Sequence, residues 1–251
     1  MSRLRIDLNC DMGEGIGRDA ELMPHITSAS IACGAHAGDR DTMRQTLLLA
    51  ARHRVAVGAH PGYPDREGFG RRSMELTPGE IYDTVTQQIG ALGDVAREEG
   101  VPIAHVKPHG ALYNDAVADT HIARAVVRAV HDFDRNLMLY GLAGSRLITE
   151  SEHVGMRAVA EAFADRGYEA DGRLTPRGSH GALIEDAAEA AARVVRMAID
   201  RRVRATDGSD VRLRAETICI HGDGAHAVEI ARQVRAALMD AGVRVAAPGT
   251  A

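Results

Sequence analysis

Tryptophan is absent, and five tyrosines with three phenylalanines supply all the aromatic rings in 251 residues. So few rings leave no platform on which bases or sugars could stack. There is no basic excess either: 30 Lys and Arg stand against 35 Asp and Glu, a formal charge of −5 with a pI near 6.2. A nucleic-acid surface normally carries the opposite balance, so nucleic acid is excluded as a partner. Three cysteines, an odd number, do not make a disulfide framework; reduced thiols in the cytoplasm are the simpler account. No apolar run approaches membrane-spanning length, "LLLAA" being stopped at once by the residues before Val55. The opening "MSRLRIDLNC" has no stretch suited to a signal peptide, so the expected location is cytoplasmic, away from membranes. GxxxxGK[ST], GxGxxG after a strand and GxSxG are all missing, which removes the Walker cradle, the dinucleotide fingerprint and the nucleophile elbow. HExxH and CxxC are missing too.

What is present is alternation. "RIDL", "ASIAC", "VAVGA", "IAHV", "LMLYG", "RAVAEAF" and "TICIH" are short and almost continuously apolar or small. Strands covered on both faces read this way. Between them lie longer segments of helical period. "TPGE" at Thr77–Glu80 offers an N-cap, a proline at the first helical position and a capping-box glutamate. Ile81, Val85, Ile89 and Leu92 then mark one face, and Gly100 supplies a stop. "DRDTMRQTLLLAARHR", "DTHIARAVVRAVHDF", "EDAAEAAARVVRMAIDRR" and "AHAVEIARQVRAALMDAG" are the other expected helices. No low-complexity linker interrupts the pattern, so residues 1–251 read as one α/β domain.

Either an open doubly wound sheet or a closed barrel fits that alternation. The polar residues favour the barrel. Asn9 and Asp11 follow the first strand, His36 the second, His60 the third, and Lys107 with His109 the fourth. Glu161 ends the sixth, and His221 with Asp223 follow the seventh. An open sheet would string these groups along a wide edge, whereas a barrel of about seven units converges them on the face where barrel enzymes keep their sites.

Of the 12 histidines, His53, His121 and His131 sit within helices and read as solvent-facing. His36, His60, His109 and His221 share one topological location, which weighs against a structural role for all four. Asp39 in "CGAHAGDRD" reads first as a helix cap. The long loop "GAHPGYPDREGFGRR" carries Asp65, Glu67, Arg71 and Arg72; the paired arginines either clamp a carboxylate or phosphate or solvate the surface. Lysine is scarce beside arginine, and Lys107 lies in strand-like sequence, where a buried ammonium needs an anionic partner. The segment from Glu161 to Arg177 adds Asp165, Arg166, Tyr168, Asp171 and Arg173 over the same rim. Cys10, Cys33 and Cys219 stand at strand ends with no sequence-local activator and read as inert. Asp11, His36 and His60 form a candidate set for a divalent metal with open positions.

"DLNCDMGEG", "IACGAHAGD", "GAHPGYPDREGFGRR", "HVKPHGALYND", "EAFADRGY", "RLTPRGS" and "ICIHGD" together resemble the LamB/YcsF family, in order and over essentially the whole chain. Ala35, the short "GIGRDAE" and the stretch after Asp223 depart from its usual pattern. The resemblance implies a distorted (β/α)7 TIM-like barrel of the glycoside hydrolase/deacetylase superfamily. It also implies cleavage of 5-oxo-L-proline to L-glutamate driven by ATP hydrolysis, in a complex with partner subunits B and C. With no Walker cradle here, ATP is assigned mainly to those partners; a homo-oligomer is also compatible with the family.

Within that scheme Asp11 is the expected general base orienting water, with Glu14 as its backup. His36 and His60 polarise water or hold a metal, Lys107 stabilises an oxyanion or phosphate, and His109 protonates the leaving nitrogen. Asn9, Arg71, Arg72, Tyr113, Asn114, Glu161, Arg166, Arg173, His221 and Asp223 are the expected substrate contacts. Two rivals stand beside this reading: a metal-dependent deacetylase acting on acylated sugars, and a non-catalytic carrier that presents lactams to partners.

Overall fold

The computed structural model describes residues 4–250. Its strands are β1 (Arg5–Met12), β2 (Ser28–Ala32), β3 (Ala56–His60), β4 (Ile103–Val106), β5 (Met138–Leu142), β6 (Ala158–Phe163), β7 (Arg202–Arg204), β8 (Asp210–Arg212), β9 (Thr217–Ile220) and β10 (Arg244–Val245). Strands β1 to β6 pair in sequence order and in parallel, β6 pairs with β9, and β9 pairs back with β1. The result is a closed seven-stranded parallel barrel, with β10 added beside β1.

The seam is uneven. β4 meets β5 through only two registered pairs, and the β3–β4 register shifts between Val57 and Gly58. Gly58 is required there: a Cβ at that position would lie 2.2 Å from the His105 ring inside the barrel. The antiparallel β7–β8 hairpin, absent from the sequence-based expectation, is inserted before the closing strand.

The helices are α1 (Asp19–Leu22), α2 (Arg40–His53), α3 (Pro78–Glu98), α4 (Gly110–Ala118), α5 (Thr120–Phe133), α6 (Arg146–His153), α7 (Ala187–Ile199) and α8 (Ala227–Asp240). The capping box at Thr77 and Glu80 is formed with both reciprocal bonds. Asp39 caps α2 by accepting the Thr42 amide hydrogen. Ile81, Val85, Ile89 and Leu92 are buried on one face of α3, each such side chain contributing roughly 1.5–3 kcal/mol when removed from water. The sequence reading did not anticipate α1, α4 or α6. Among the described residues, no helix is long and apolar enough to cross a membrane.

Strand β1 shows how the interior is built. Expected to end at Leu8, it runs to Met12, so Asn9 and Asp11 lie within the strand rather than after it. Successive side chains alternate between faces. Ile6, Leu8, Cys10 and Met12 join the apolar core beneath the helices. Asp7, Asn9 and Asp11 point into the barrel, where each meets residues from other strands. The barrel is therefore filled along this column by polar groups.

Candidate active site

The lowest interior layer is closed. Asp7 accepts hydrogen bonds from the hydroxyls of Thr27, Ser28, Thr217 and Tyr140 at 2.6–3.2 Å. Burial raises its pKa above the ordinary carboxylate value, and the hydroxyl bonds only partly oppose this.

The next layer is built around Lys107, the chain's only lysine. Its backbone N–H continues the β3–β4 pairing by bonding to the Ala59 carbonyl at 2.9 Å. Its ammonium, 2% exposed, meets Asp11 Oδ1 at 2.8 Å, Asn9 Oδ1 at 2.9 Å, Glu161 Oε1 at 3.0 Å and Cys219 Sγ at 3.1 Å. Burial works against that charge, but Asp11, with Cys219 and Glu161, more than compensates and holds the Lys107 pKa well above its usual value. Glu161 is itself fixed by the Asn9 amide at 2.9 Å and the Tyr113 hydroxyl at 2.7 Å. Asn9 and Glu161, expected to touch substrate, instead lie beneath the cavity and hold the lysine.

The upper layer collects carboxylates and imidazoles. Asp11 Oδ2 is 3.2 Å from His60 Nε2. Burial would raise the Asp11 pKa, yet the His60 and Lys107 charges hold it well below the ordinary range. Glu14 Oε1 lies 3.3 Å from His109 Nδ1, 3.4 Å from His36 Nε2 and 3.9 Å from His60 Nε2. Burial, reinforced by the Asp11 charge, pushes Glu14 up to about 7. The His36 and His109 rings stack at 3.8 Å with 1° between their planes. Burial and the neighbouring His60 bring His36 down to about 3 and His109 well below its usual value.

The long loop after β3 packs against this group. Gly70, at φ +64°, leaves room where a Cβ would come within 2.9 Å of both His36 and His109, and its carbonyl accepts the Ala111 N–H at the start of α4. The loop's two arginines diverge. Arg71 pairs with Asp223 at 2.5 Å and lines the cavity. Arg72 turns back to Asp65 in its own loop, 63% exposed and outside the lining.

A cavity of about 440 Å³ lies over these layers, within the range of small-molecule sites. Asp11, Glu14, His60, Lys107, His109, Tyr113 and Asn114 line it together with Arg71, Arg166, Arg173, His221 and Asp223. His36 stands behind His109, outside the lining. Three contributors carried no assigned role in the sequence reading. Arg177 adds a fourth guanidinium. Phe163 stacks on His221 at 5.4 Å. Asp165 holds His221 Nδ1 at 2.9 Å and accepts its backbone N–H; the Asp165…His221 pair was visible as residue types, but nothing local linked them across 56 positions. Arg166 donates to the Ala182 and Thr175 carbonyls; burial and Arg177 lower it to about 10, so it stays cationic at neutral pH. Arg173 pairs with Asp171 at 2.7 Å.

The three cysteines are free and buried. Burial pushes Cys33 up to about 12 and Cys10 and Cys219 well above the usual thiol value. The residues considered for a metal are also regrouped. Donor atoms of Glu14, His36, His60 and His109 lie within 4.8 Å of one another, while Asp11 falls into a second group with Cys219 and His221.

The model of the LamB/YcsF family matches residues 6–251. The chain is 52% identical over 248 residues to the A subunit of 5-oxoprolinase from Tolumonas auensis, covering 97% of this chain and 99% of that one. A lactam utilization protein from Thermus thermophilus superposes with a TM-score of 0.91 at 47% identity, covering 97% and 99% of the two chains. The T48 deacetylase, solved with substrate, matches with a TM-score of 0.51 at 16% identity over 97% of this chain and 88% of that one, a likeness of fold alone.

Proposed function

Because this chain belongs to the LamB/YcsF family, we propose that it serves as the A subunit of a cytoplasmic, ATP-dependent 5-oxoprolinase that opens 5-oxo-L-proline to L-glutamate with subunits B and C. The observation that carries this reading is the pairing of a buried lysine–carboxylate group with four cavity arginines. One part suits a carbonyl developing negative charge, and the other suits anionic groups on the same small molecule.

A five-membered lactam is a stabilised amide with little ring strain, and its closed form is favoured near neutral pH. Opening it requires coupling to a downhill reaction. In the proposed sequence the lactam oxygen is phosphorylated by ATP, with the nucleotide handled mainly by the partner subunits. Water then adds to the activated ring carbon, giving up its proton to Asp11. The C–N bond breaks, the nitrogen takes a proton, and the product is an acyl phosphate; a second water releases phosphate and leaves glutamate.

Lys107 faces the developing oxyanion, held there by Asn9 and Glu161. The proton for the leaving nitrogen is better assigned to His221 than to His109. His109 has both ring nitrogens engaged, by His60 and by the Phe69 carbonyl. His221 lines the cavity with Nδ1 on Asp165, which frees Nε2 for proton transfer. Arg71 and Arg166 serve the substrate carboxylate and phosphate.

The Glu14–histidine group favours one second reading, a metal-dependent deacetylase. Glutamate release from 5-oxoproline, assayed for this chain with and without subunits B and C and ATP, separates the readings. The proposal expects release only with all three subunits and ATP, and a loss of about 10²–10⁴ in Asp11→Asn with the fold intact. Deacetylation by the isolated chain without ATP supports the rival. Lactam binding with unchanged turnover in Asp11→Asn reduces the chain to a carrier.

A further inference from the structure

His60 and His109 each commit one ring nitrogen to a backbone carbonyl. His60 Nδ1 lies 2.7 Å from the Lys107 oxygen, and His109 Nε2 lies 2.8 Å from that of Phe69. A carbonyl can only accept, so in each neutral ring the hydrogen sits on that nitrogen. The remaining nitrogens, His60 Nε2 and His109 Nδ1, then both present lone pairs, yet they face each other at 2.9 Å. Lone pairs at that distance repel unless a cation joins them. A proton on His60 Nε2 would reconcile this pair and face Asp11 Oδ2 at 3.2 Å, but it would leave the rest of the group unserved. Glu14 Oε1 and both nitrogens of His36 are buried beside it without a hydrogen-bond partner, and buried polar atoms are rarely left so.

We propose that Glu14, His36, His60 and His109 together bind a single first-row divalent metal ion of the zinc type. One cation satisfies all the unpartnered donors at once, apart from His36 Nδ1. Zinc held tetrahedrally by nitrogen and oxygen at about 2.0–2.1 Å sets neighbouring donor atoms about 3.3 Å apart. Glu14 Oε1 already stands 3.3 Å from His109 Nδ1 and 3.4 Å from His36 Nε2, with His60 Nε2 at 3.9 Å. To close on one ion, the His60–His109 contact must open by a few tenths of an ångström, Glu14 and His60 must draw together, and the stacked His36 and His109 rings must turn out of parallel so that both lone pairs converge. The carbonyl bonds on the far nitrogens of both rings are the outer partners that fix the orientation of metal-bound histidines. Three imidazoles and a single carboxylate suit zinc or its neighbours rather than the all-oxygen preference of calcium or magnesium.

The adjoining group of Asp11, Cys219 and His221 is not a second metal site. The Lys107 ammonium, 2.8 Å from Asp11 and 3.1 Å from Cys219, already supplies the cation there. Its charge holds Asp11 Oδ1, and Asp11, although its Oδ2 is 3.2 Å from His60 Nε2, does not gather with the donor atoms of Glu14, His36 and His109.

The test uses the full chain stripped with a chelator and titrated with Co²⁺, whose visible absorption reports coordination. The expected result is saturable binding of one equivalent with intense visible bands and no thiolate-to-cobalt band in the near ultraviolet. Glu14→Gln and His36→Gln weaken binding by about 10-fold or more with the far-ultraviolet dichroism unchanged, while Cys219→Ser and His221→Ala bind as the parent does. Absence of saturable binding by the parent chain overturns the proposal. So does a thiolate band, or loss in His221→Ala with retention in Glu14→Gln, since either moves the ion to the lysine's side. If a ligand variant fails to fold, the parent's stoichiometry and near-ultraviolet spectrum still decide. None of these readouts depends on which substrate the site turns over.

Discussion

Asp7 and Asp11 lie four residues apart on β1, on the same face and both buried in the barrel, yet they are driven in opposite directions. Asp7 meets four neutral hydroxyls, so burial prevails and its pKa rises. Asp11 meets His60 and the Lys107 ammonium, so burial is overcome and it stays an ion. Depth alone therefore does not decide the state of a carboxyl group in this barrel; the charge of its partners does. The lower layer is close to saturated, although His105 Nδ1 lacks a partner there. The mouth keeps cations, unpartnered donors and open volume. Structure is stored at one end and reactivity at the other.

The most severe way to break this contrast is to remove the cation. Lys107→Met leaves Asp11 and Glu161 buried without their shared counter-ion. Losing one member of a buried ion pair costs about 3–5 kcal/mol, so urea unfolding should show a loss of that order, together with loss of turnover in the reconstituted complex. Adding Glu161→Gln to Lys107→Met should restore part of the stability and none of the turnover. An unaltered unfolding midpoint in Lys107→Met would mean that the lysine does not hold the two carboxylates as described.

The same contrast can be sharpened by pH, using Asp7 and Asp165. Asp165, at the mouth, is held below the ordinary carboxylate value: burial opposes this, but the His221 charge and hydrogen bonds prevail. Its contribution is present above the unfolded pKa near 4 and is lost as pH falls through the lower folded value. The stability deficit of Asp165→Asn, about 1–3 kcal/mol at neutral pH, should therefore shrink on acidification. Asp7 has the opposite sign. Its folded state binds the proton more tightly, so this group's contribution falls as pH rises from about 4 towards its raised folded value. Asp7→Asn removes that slope, and the variant should gain on the parent as pH rises. Parallel pH dependences for the two variants would contradict the assignment of opposite partners.

Much of this was legible in the chain. Seven apolar runs, read as strands covered on both faces, are the seven barrel strands. Capping at Asp39 and Thr77 followed from local chemistry that the fold leaves intact. The length of β1 was not legible, because Asn9 and Asp11 look like loop residues unless the far side of the strand is known to be polar. Nor was the division between residues that face the cavity and residues that support them. Glu161 and Asp165 are both acids near a strand end, and only the partners 54 positions before and 56 after decide what each does.

Arg71 and Arg72 pose the same question at the smallest scale, since the sequence offered them as a pair. The loop separates them: Arg71 stacks over Phe69 at 5.0 Å and bridges to Asp223 across the barrel mouth, while Arg72 folds back on Asp65. The Arg72 end of this pair is 63% exposed, so solvent screens it and the bridge contributes little. Arg72→Ala should therefore leave KM for 5-oxoproline within about twofold and stability within about 0.5 kcal/mol. Arg71→Ala should raise KM by about 10-fold, the loss of one charged contact worth about 1.4 kcal/mol, with kcat less affected. Equal effects in the two variants would return the arginines to the undivided pair the sequence presents, and would remove Arg71 from the group that grips the substrate.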